Sequence, residues 1–219
     1  MADDYLGHVV ADGPPIERLD GAVRVRKFSV EAMDNNVYVI ACSRTGQALV
    51  VDAAARADRI RELTADVEVL AVVQTHGHWD HVRAWGDLRA DPGWPIWGHR
   101  GDAEIFPVAC DRWLEDGDRL AVGDLTVHVL HTPGHTAGGL QFRVEGAARP
   151  HLFTGDSLFP GGPGNTWGDA AKFSQLMDGL ESRVFGALPD ATWVYPGHGD
   201  DTTIGQQRPS LSAWRSRGW

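Results

Sequence analysis

The chain is poor in cysteine, poor in cations and free of long apolar runs. Only two cysteines occur among 219 residues. Two thiols make no disulfide framework of the kind that staples small secreted domains, so a reducing, cytoplasmic setting is expected. Cys42 ends an apolar, strand-like segment and reads as a small core residue. Cys110 follows Phe106-Pro107-Val108-Ala109, and neither thiol is expected to be a ligand. Lysine and arginine total 20 against 30 acidic residues, a formal charge of −10. That balance lacks the basic footprint of a nucleic-acid binder. No apolar stretch is long enough to cross a bilayer, and the start, Met1-Ala2-Asp3-Asp4, is acidic where a secretory signal is basic. Neither nucleic acid nor membrane is expected as a partner. No Ser/Gly-rich or charged linker divides the chain, and 42% of residues are hydrophobic. One domain over 1–219 with a sizeable core is the expectation.

What the chain has is histidine in an unusual place. The run Thr75-His76-Gly77-His78-Trp79-Asp80-His81 packs three imidazoles and a carboxylate into six positions. These donor types suit zinc and iron. The apolar stretch 67–73 leads into it and reads as a buried strand that ends where the donors begin. A strand supplies rigidity and the loop supplies the donors. The pattern recurs. The segment 127–130 opens into His131-Thr132-Pro133-Gly134-His135-Thr136. His151-Leu152-Phe153 opens into Thr154-Gly155-Asp156, and Thr192-Trp193-Val194-Tyr195 into Pro196-Gly197-His198-Gly199. Each strand-like segment ends in a turn bearing glycine, which permits tight turns and close approach. Together they offer His76, His78, Asp80, His81, His135, Asp156 and His198. Seven donors exceed one tetrahedral ion and suit two ions sharing a carboxylate and a bridging water.

In these motifs the chain resembles the metallo-β-lactamase superfamily, and most of all its glyoxalase II-like (hydroxyacylglutathione hydrolase-like) branch. The matching segments are Thr-His-Gly-His-x-Asp-His, Thr-Pro-Gly-His-Thr, Thr-Gly-Asp and Tyr-Pro-Gly-His-Gly, with the tail Thr202-Thr203-Ile204-Gly205. They run from about residue 36 to residue 208. The resemblance implies that His76, His78 and His135 hold one metal, that Asp80, His81 and His198 hold a second, and that Asp156 bridges them. Asp52, in Val50-Val51-Asp52-Ala53-Ala54, matches an aspartate that supports the ligand loop from behind. The family usually places a glycine soon after it, where this chain has alanines.

A coarse reading gives strands over 23–30, 36–42, 48–52, 67–73, 96–97, 125–130, 139–144, 152–153 and 192–195. Helices are expected over 55–63, 81–88 and 169–188, the last with Phe173, Leu176, Leu180, Val184 and Phe185 at helical spacing. Strand-rich halves with helices between them suggest a layered α/β arrangement. The resemblance implies its specific form, a four-layer αββα sandwich of two mixed sheets flanked by helices.

A metal pair implies hydrolysis. Metal-bound water titrates near ~7, and two ions polarise a carbonyl and steady a leaving group. The expectation is therefore a zinc-dependent hydrolase, with iron or manganese as other metals. It would cleave a small-molecule thioester or ester with metal-bridged hydroxide, Asp80 facing the nucleophile. A second reading is a mononuclear iron persulfide dioxygenase using His76, His135 and Asp156, since two histidines and a carboxylate typify non-haem iron oxygenases. A lactonase and a non-catalytic metal-binding protein stand further off. The loop after Asp156, Ser157 to Trp167, carries neither the arginine-bearing Gly-Arg-x-Asp stretch nor the Cys-Gly-x-x-Phe stretch common in the family. Asn165, Thr166 and Trp167 there, with Trp79 in the first motif, are candidate substrate contacts. Lys172 reads as solvated. Twenty-one residues follow His198, so a C-terminal glutathione-binding helical domain is not expected.

Overall fold

The structure is a computed structural model and describes residues 7–218. The first half builds one sheet. Its strands are β1 (Ile16–Asp20), β2 (Val23–Val30), β3 (Asn35–Cys42), β4 (Gln47–Val51), β5 (Glu68–Val73), β6 (Ile96–Gly98) and β7 (Arg112–Trp113), lying side by side in sequence order. β1 to β4 form an antiparallel meander. From β4 to β7 the pairing is parallel, and the crossovers carry α1 (Ala57–Glu62) and α2 (Trp85–Ala90).

The second half builds β8 (Arg119–Val122), β9 (Leu125–His131), β10 (Leu140–Glu145), β11 (Pro150–Gly155), β14 (Trp193–Pro196) and β15 (Thr202–Thr203), in the order β15-β14-β11-β10-β9-β8. A small hairpin of β12 (Leu158–Phe159) and β13 (Gly162–Pro163) lies after β11. α3 (Ala170–Gly179), α4 (Ile204–Gln207) and α5 (Leu211–Arg217) complete the chain.

The period of two along the strands makes this a layered structure. In β3, Tyr38, Ile40 and Cys42 join the core between the sheets, while Val37, Val39 and Ala41 face the other way. The central core pairs Val25, Ile40 and Leu49 of the first sheet with Val127, Phe142 and Phe153 of the second. Burying each such side chain stabilises the fold by about 1.5–3 kcal/mol. The outer face of the first sheet packs on Ile60 and Leu88 of α1 and α2. Leu152 and Val194 on the outer face of the second pack on Leu176, Met177 and Trp214. The result is the expected αββα order.

Two expected helices differ. The helix over 81–88 is replaced by a single 3-10 turn, Trp79–His81, and by α2 starting at Trp85. The amides of Arg83 and Ala84 bond the carbonyls of Ala54 and Ala53, which withdraws that backbone from helical pairing. The helix over 169–188 begins as expected, with the Asp169 carboxylate capping the amides of Ala171 and Lys172. From Leu180 to Phe185 it widens into a π-turn. Strands β1, β7, β8 and β15 and helices α4 and α5 were not expected. Most are two to five residues long, too short for periodicity to register.

Candidate metal centre

β4, β5, β9, β11 and β14 all run into the donor-bearing segments at one edge of the sandwich. Asp52 sits just past β4 in the left-handed region, at φ 61°. That conformation is costly for a non-glycine residue and persists only where surrounding structure holds it. The holding bonds are visible. Its carboxylate accepts from the Thr75 amide at 2.8 Å, from Gln74 Nε2 at 2.9 Å and from Thr75 Oγ1 at 2.8 Å. It also accepts from His81 Nδ1 at 2.9 Å.

These bonds fix the ring tautomers. His81 donates its Nδ1–H to Asp52, so in the neutral ring Nε2 keeps the lone pair. Thr75 Oγ1 donates to Asp52 and accepts from His76 Nδ1 at 3.0 Å, so His76 Nε2 is likewise bare. His135 Nδ1 donates to the Asn165 carbonyl and His198 Nδ1 to the Met33 carbonyl, both at 2.8 Å. Four Nε2 atoms therefore face inward, each bearing the lone pair in the neutral ring. Holding the far ring nitrogen in this way is how proteins aim metal-ligating histidines.

The inward atoms converge in two groups. His76, His78 and His135 bring donor atoms within 4.8 Å of one another, and so do Asp80, His81 and His198. His78 Nδ1 lies 2.9 Å from His135 Nε2, and His81 Nε2 lies 3.1 Å from His198 Nε2. Asp156 stands between the groups. Its carboxylate is 4.0 Å from His76, 3.6 Å from His135, and 3.5 Å from both His81 and His198. Asp52, His76 and His81 make a third close group. There the Asp52 oxygens already accept from protein donors, so Asp52 supports rather than faces the centre.

The donor set fits a pair of cations. His76 Nε2 and Asp156 Oδ1 are buried with no hydrogen-bond partner, an expensive state for polar atoms unless a charge meets them. The electrostatics divide the centre. Burial holds His76, His78 and His135 below their ordinary 6.5. Burial also disfavours charge on His81, but Asp156 and Asp52 outweigh it and the ring lies well above 6.5. His198 is pushed up to about 9, as Asp156 and Asp80 outweigh its burial. Burial acts to raise Asp80 and Asp156. His198, His81 and, for Asp80, Asn35 instead hold both below the carboxylate range.

Two further groups place the loops, and nothing in the linear pattern distinguished them. Asp102 is buried and accepts from the Gly77 amide at 2.9 Å, Thr136 Oγ1 at 2.8 Å and the Gly138 amide at 2.6 Å. It ties the His76–His78 loop to the His135 loop. Asn35 Nδ2 donates to Asp80 Oδ2 at 3.0 Å. Asn36 Nδ2 donates to the Pro196 and Gly199 carbonyls, both at 2.9 Å. The segment 33–36 thus holds Asp80 and the His198 turn.

A cavity of about 280 Å³ opens over His78 and His135, walled by Trp167, Ile105, Glu104 and Lys172. Trp167 is 61% exposed, adopts φ 54°, and packs 5.4 Å from His78 and 5.2 Å from His135. Asn165 is exposed and bonds the Trp167 amide, at 2.7 Å, and His135. One expectation shifts. Thr166 is fully buried and lies off the cavity wall, because its side chain faces inward where its neighbours face out. Trp79 walls a separate cavity, described below. Lys172 is solvent-exposed as expected, and it also lines the cavity. Neither cysteine belongs to a donor group among the described residues.

Comparison with known proteins settles the family. Residues 30–198 match the family model described as the Metallo-beta-lactamase superfamily. The chain belongs to this superfamily. Among curated relatives, a hydroxyacylglutathione hydrolase of Rhodospirillum rubrum is 35% identical over 170 residues, covering 75% of this chain and 62% of that one. The hydroxyacylglutathione hydrolase GloC of Haemophilus influenzae is 32% identical over 185 residues, covering 74% of this chain and 85% of that one. These likenesses place the chain beside the glyoxalase II-like branch. Among solved structures, ETHE1 from Myxococcus xanthus superimposes with a TM-score of 0.72 at 29% identity, over 93% of this chain and 87% of that one. Superfamily members are generally hydrolases and bind divalent metals, typically two. No helix among the described residues is long and apolar enough to cross a membrane.

Proposed function

We propose that this chain is a dinuclear metal-dependent hydrolase of small-molecule thioesters, acting in the cytoplasm. The observation that carries the reading is the convergence of six donors in two groups about a shared Asp156, with four ring tautomers fixed to face inward. His76, His78 and His135 would hold one ion and Asp80, His81 and His198 the other, zinc being the metal that suits this donor set. Two such ions, when bound, supply a water ionised near neutral pH and a Lewis acid for a carbonyl. The protein supplies the rest. Asp80, steadied by Asn35, is the carboxylate placed to take the proton of the attacking water. Trp167 covers His78 and His135 and limits bulk water there. Lys172 offers the cavity mouth a cation for an anionic group on the thiol half of the substrate. The Rhodospirillum and Haemophilus relatives, both named hydroxyacylglutathione hydrolases, support a thioester substrate.

A second reading, oxidation of a persulfide at one iron held by His76, His135 and Asp156, draws on the likeness to ETHE1. Metal content of protein purified without added metal separates the two. About two ions per chain with turnover of a thioester panel supports hydrolysis. One iron per chain, with oxygen consumed on glutathione persulfide, overturns it. Within the hydrolytic reading, Asp80→Asn is expected to abolish most turnover and weaken the second ion. Full activity with both ions retained would remove Asp80 from that role.

A further inference from the structure

Soluble proteins rarely gather exposed apolar side chains in one place without using them. Among the described residues the large apolar side chains left in solvent are Val10, Leu19, Met33, Trp79, Ile105, Val108 and Trp167. Four of them surround the donor cluster. Met33 gives its carbonyl to His198, and Trp79 sits between the donors His78 and Asp80. Trp167 packs on His78 and His135. Ile105 lies over the donor loop so closely that a Cβ on Gly77 would meet it at 2.6 Å.

Ile105 is also a partition. On one side is the cavity over His78 and His135, with Lys172 and Glu104. On the other is a second cavity of about 280 Å³, lined by Trp79, Val82, Arg83, Gly86, Ile105 and Pro107. Its wall is built rather than left loose. The Arg83 guanidinium lies 5.0 Å over the Trp79 ring, and Glu31 pairs with that guanidinium at 2.5 Å. The ion pair neutralises the one charged lining group, and the stack holds a 60%-exposed indole in place. An apolar cavity beside a polar one, joined across a single side chain at a reactive centre, matches a substrate with an apolar arm and a polar arm.

We propose that the cavity behind Ile105 binds the acyl chain of the substrate, so that the enzyme selects thioesters of medium-length apolar acids over short polar ones. This rests on the thioester reading above. Hydrolysis would break the C–S bond and form a C–O bond from water, releasing the carboxylic acid and the thiol. The cavity accepts the unreacting end of the acid. Its volume, near the lower limit of about 300 Å³ for small-molecule pockets, sets a modest chain length.

Gly86 gives the test. It lies in α2, lines the cavity, and has nothing within 4 Å of where a Cβ would stand. A Cβ at this position meets open space, so Gly86→Leu sends its side chain into the cavity. The metal-loaded enzyme would be titrated calorimetrically with S-alkyl thioethers of N-acetylcysteamine, methyl to octyl. The matching acyl thioesters would be assayed in parallel. Affinity is expected to rise roughly fourfold per methylene until the cavity is full, with kcat/KM following. Gly86→Leu is expected to flatten both series, with metal content and unfolding midpoint read beside them as the check on folding. A flat binding series in the unmodified enzyme, or a slope that survives Gly86→Leu, overturns the proposal. If no thioester turns over yet thioether affinity still climbs with length and falls in Gly86→Leu, the thioester reading fails and the apolar site stands.

Discussion

Asp52 shows how much one carboxylate can organise. It touches neither cavity, yet it fixes His81 directly and His76 through Thr75. Those rings belong to different donor groups, so Asp52→Ala should weaken both ion positions. Losing such a support typically costs about 10–100-fold in metal affinity. Asp102 acts differently, because its bonds reach Gly77, Thr136 and Gly138, beside His78 and His135 only. Asp102→Ala should weaken one ion and spare the other. Chelator competition that counts two affinities per chain checks both. Equal losses at both positions in the Asp102 variant would contradict this division.

Among the elements, the turn from β14 to β15 is the one most strapped in place. It carries His198, and Lys27 of β2 is buried beneath it. The Lys27 ammonium donates to the Gly7 carbonyl at 2.6 Å, the Gly199 carbonyl at 2.7 Å and Asp201 at 2.7 Å. Both side chains of the Lys27–Asp201 pair are wholly buried. Burial draws the lysine pKa down, and Asp201 opposes the shift. Breaking such a pair by removing one partner costs about 3–5 kcal/mol. Lys27→Met should lower unfolding free energy by that order in urea titrations, and should loosen the ion proposed at His198 more than the ion proposed at His76. A stability loss with unchanged ion affinities would confine Lys27 to a folding role. Tyr38 adds to the same strap, donating from its hydroxyl to the Pro196 carbonyl at 2.6 Å.

At the scale of the whole molecule, acid should unfold this protein in part through a group far from the donor cluster. His151 is buried at the start of β11, 3.1 Å from Asp20 and 2.8 Å from the Tyr195 hydroxyl. Burial keeps its pKa below 6.5, against the pull of Asp20. The unfolded chain therefore takes up a proton on this ring below about 6.5 that the folded chain refuses. Stability rises wherever the unfolded state binds more protons. The His151 contribution is complete above 6.5 and falls as pH drops from 6.5 toward the depressed folded value. His151→Gln, which cannot titrate, should show a shallower loss of stability between pH 6.5 and 5 at constant metal. Identical slopes would show that the ring is protonated without cost in the fold.

The donors themselves were legible in the linear order of residues, because ligand chemistry is a property of side-chain type and strand-loop spacing. The run from His76 to His81, and glycine turns beside His135, Asp156 and His198, stand out in any reading. The sheet-forming runs of β2 to β5 were legible for the same local reason. The family resemblance implied the two donor groups and the places of Asp52 and Asp156; tertiary structure decided which ring nitrogen each donor presents and which bonds hold it there. Those facts depend on contacts between residues 22 to 165 positions apart, and no local pattern encodes them. It also decided that Thr166 turns inward, that Lys172 reaches the cavity, and that residues 82–84 leave the helix to pair with Ala53 and Ala54. For residues 83 and 84 the carbonyls of Ala54 and Ala53 outweigh the local helical preference.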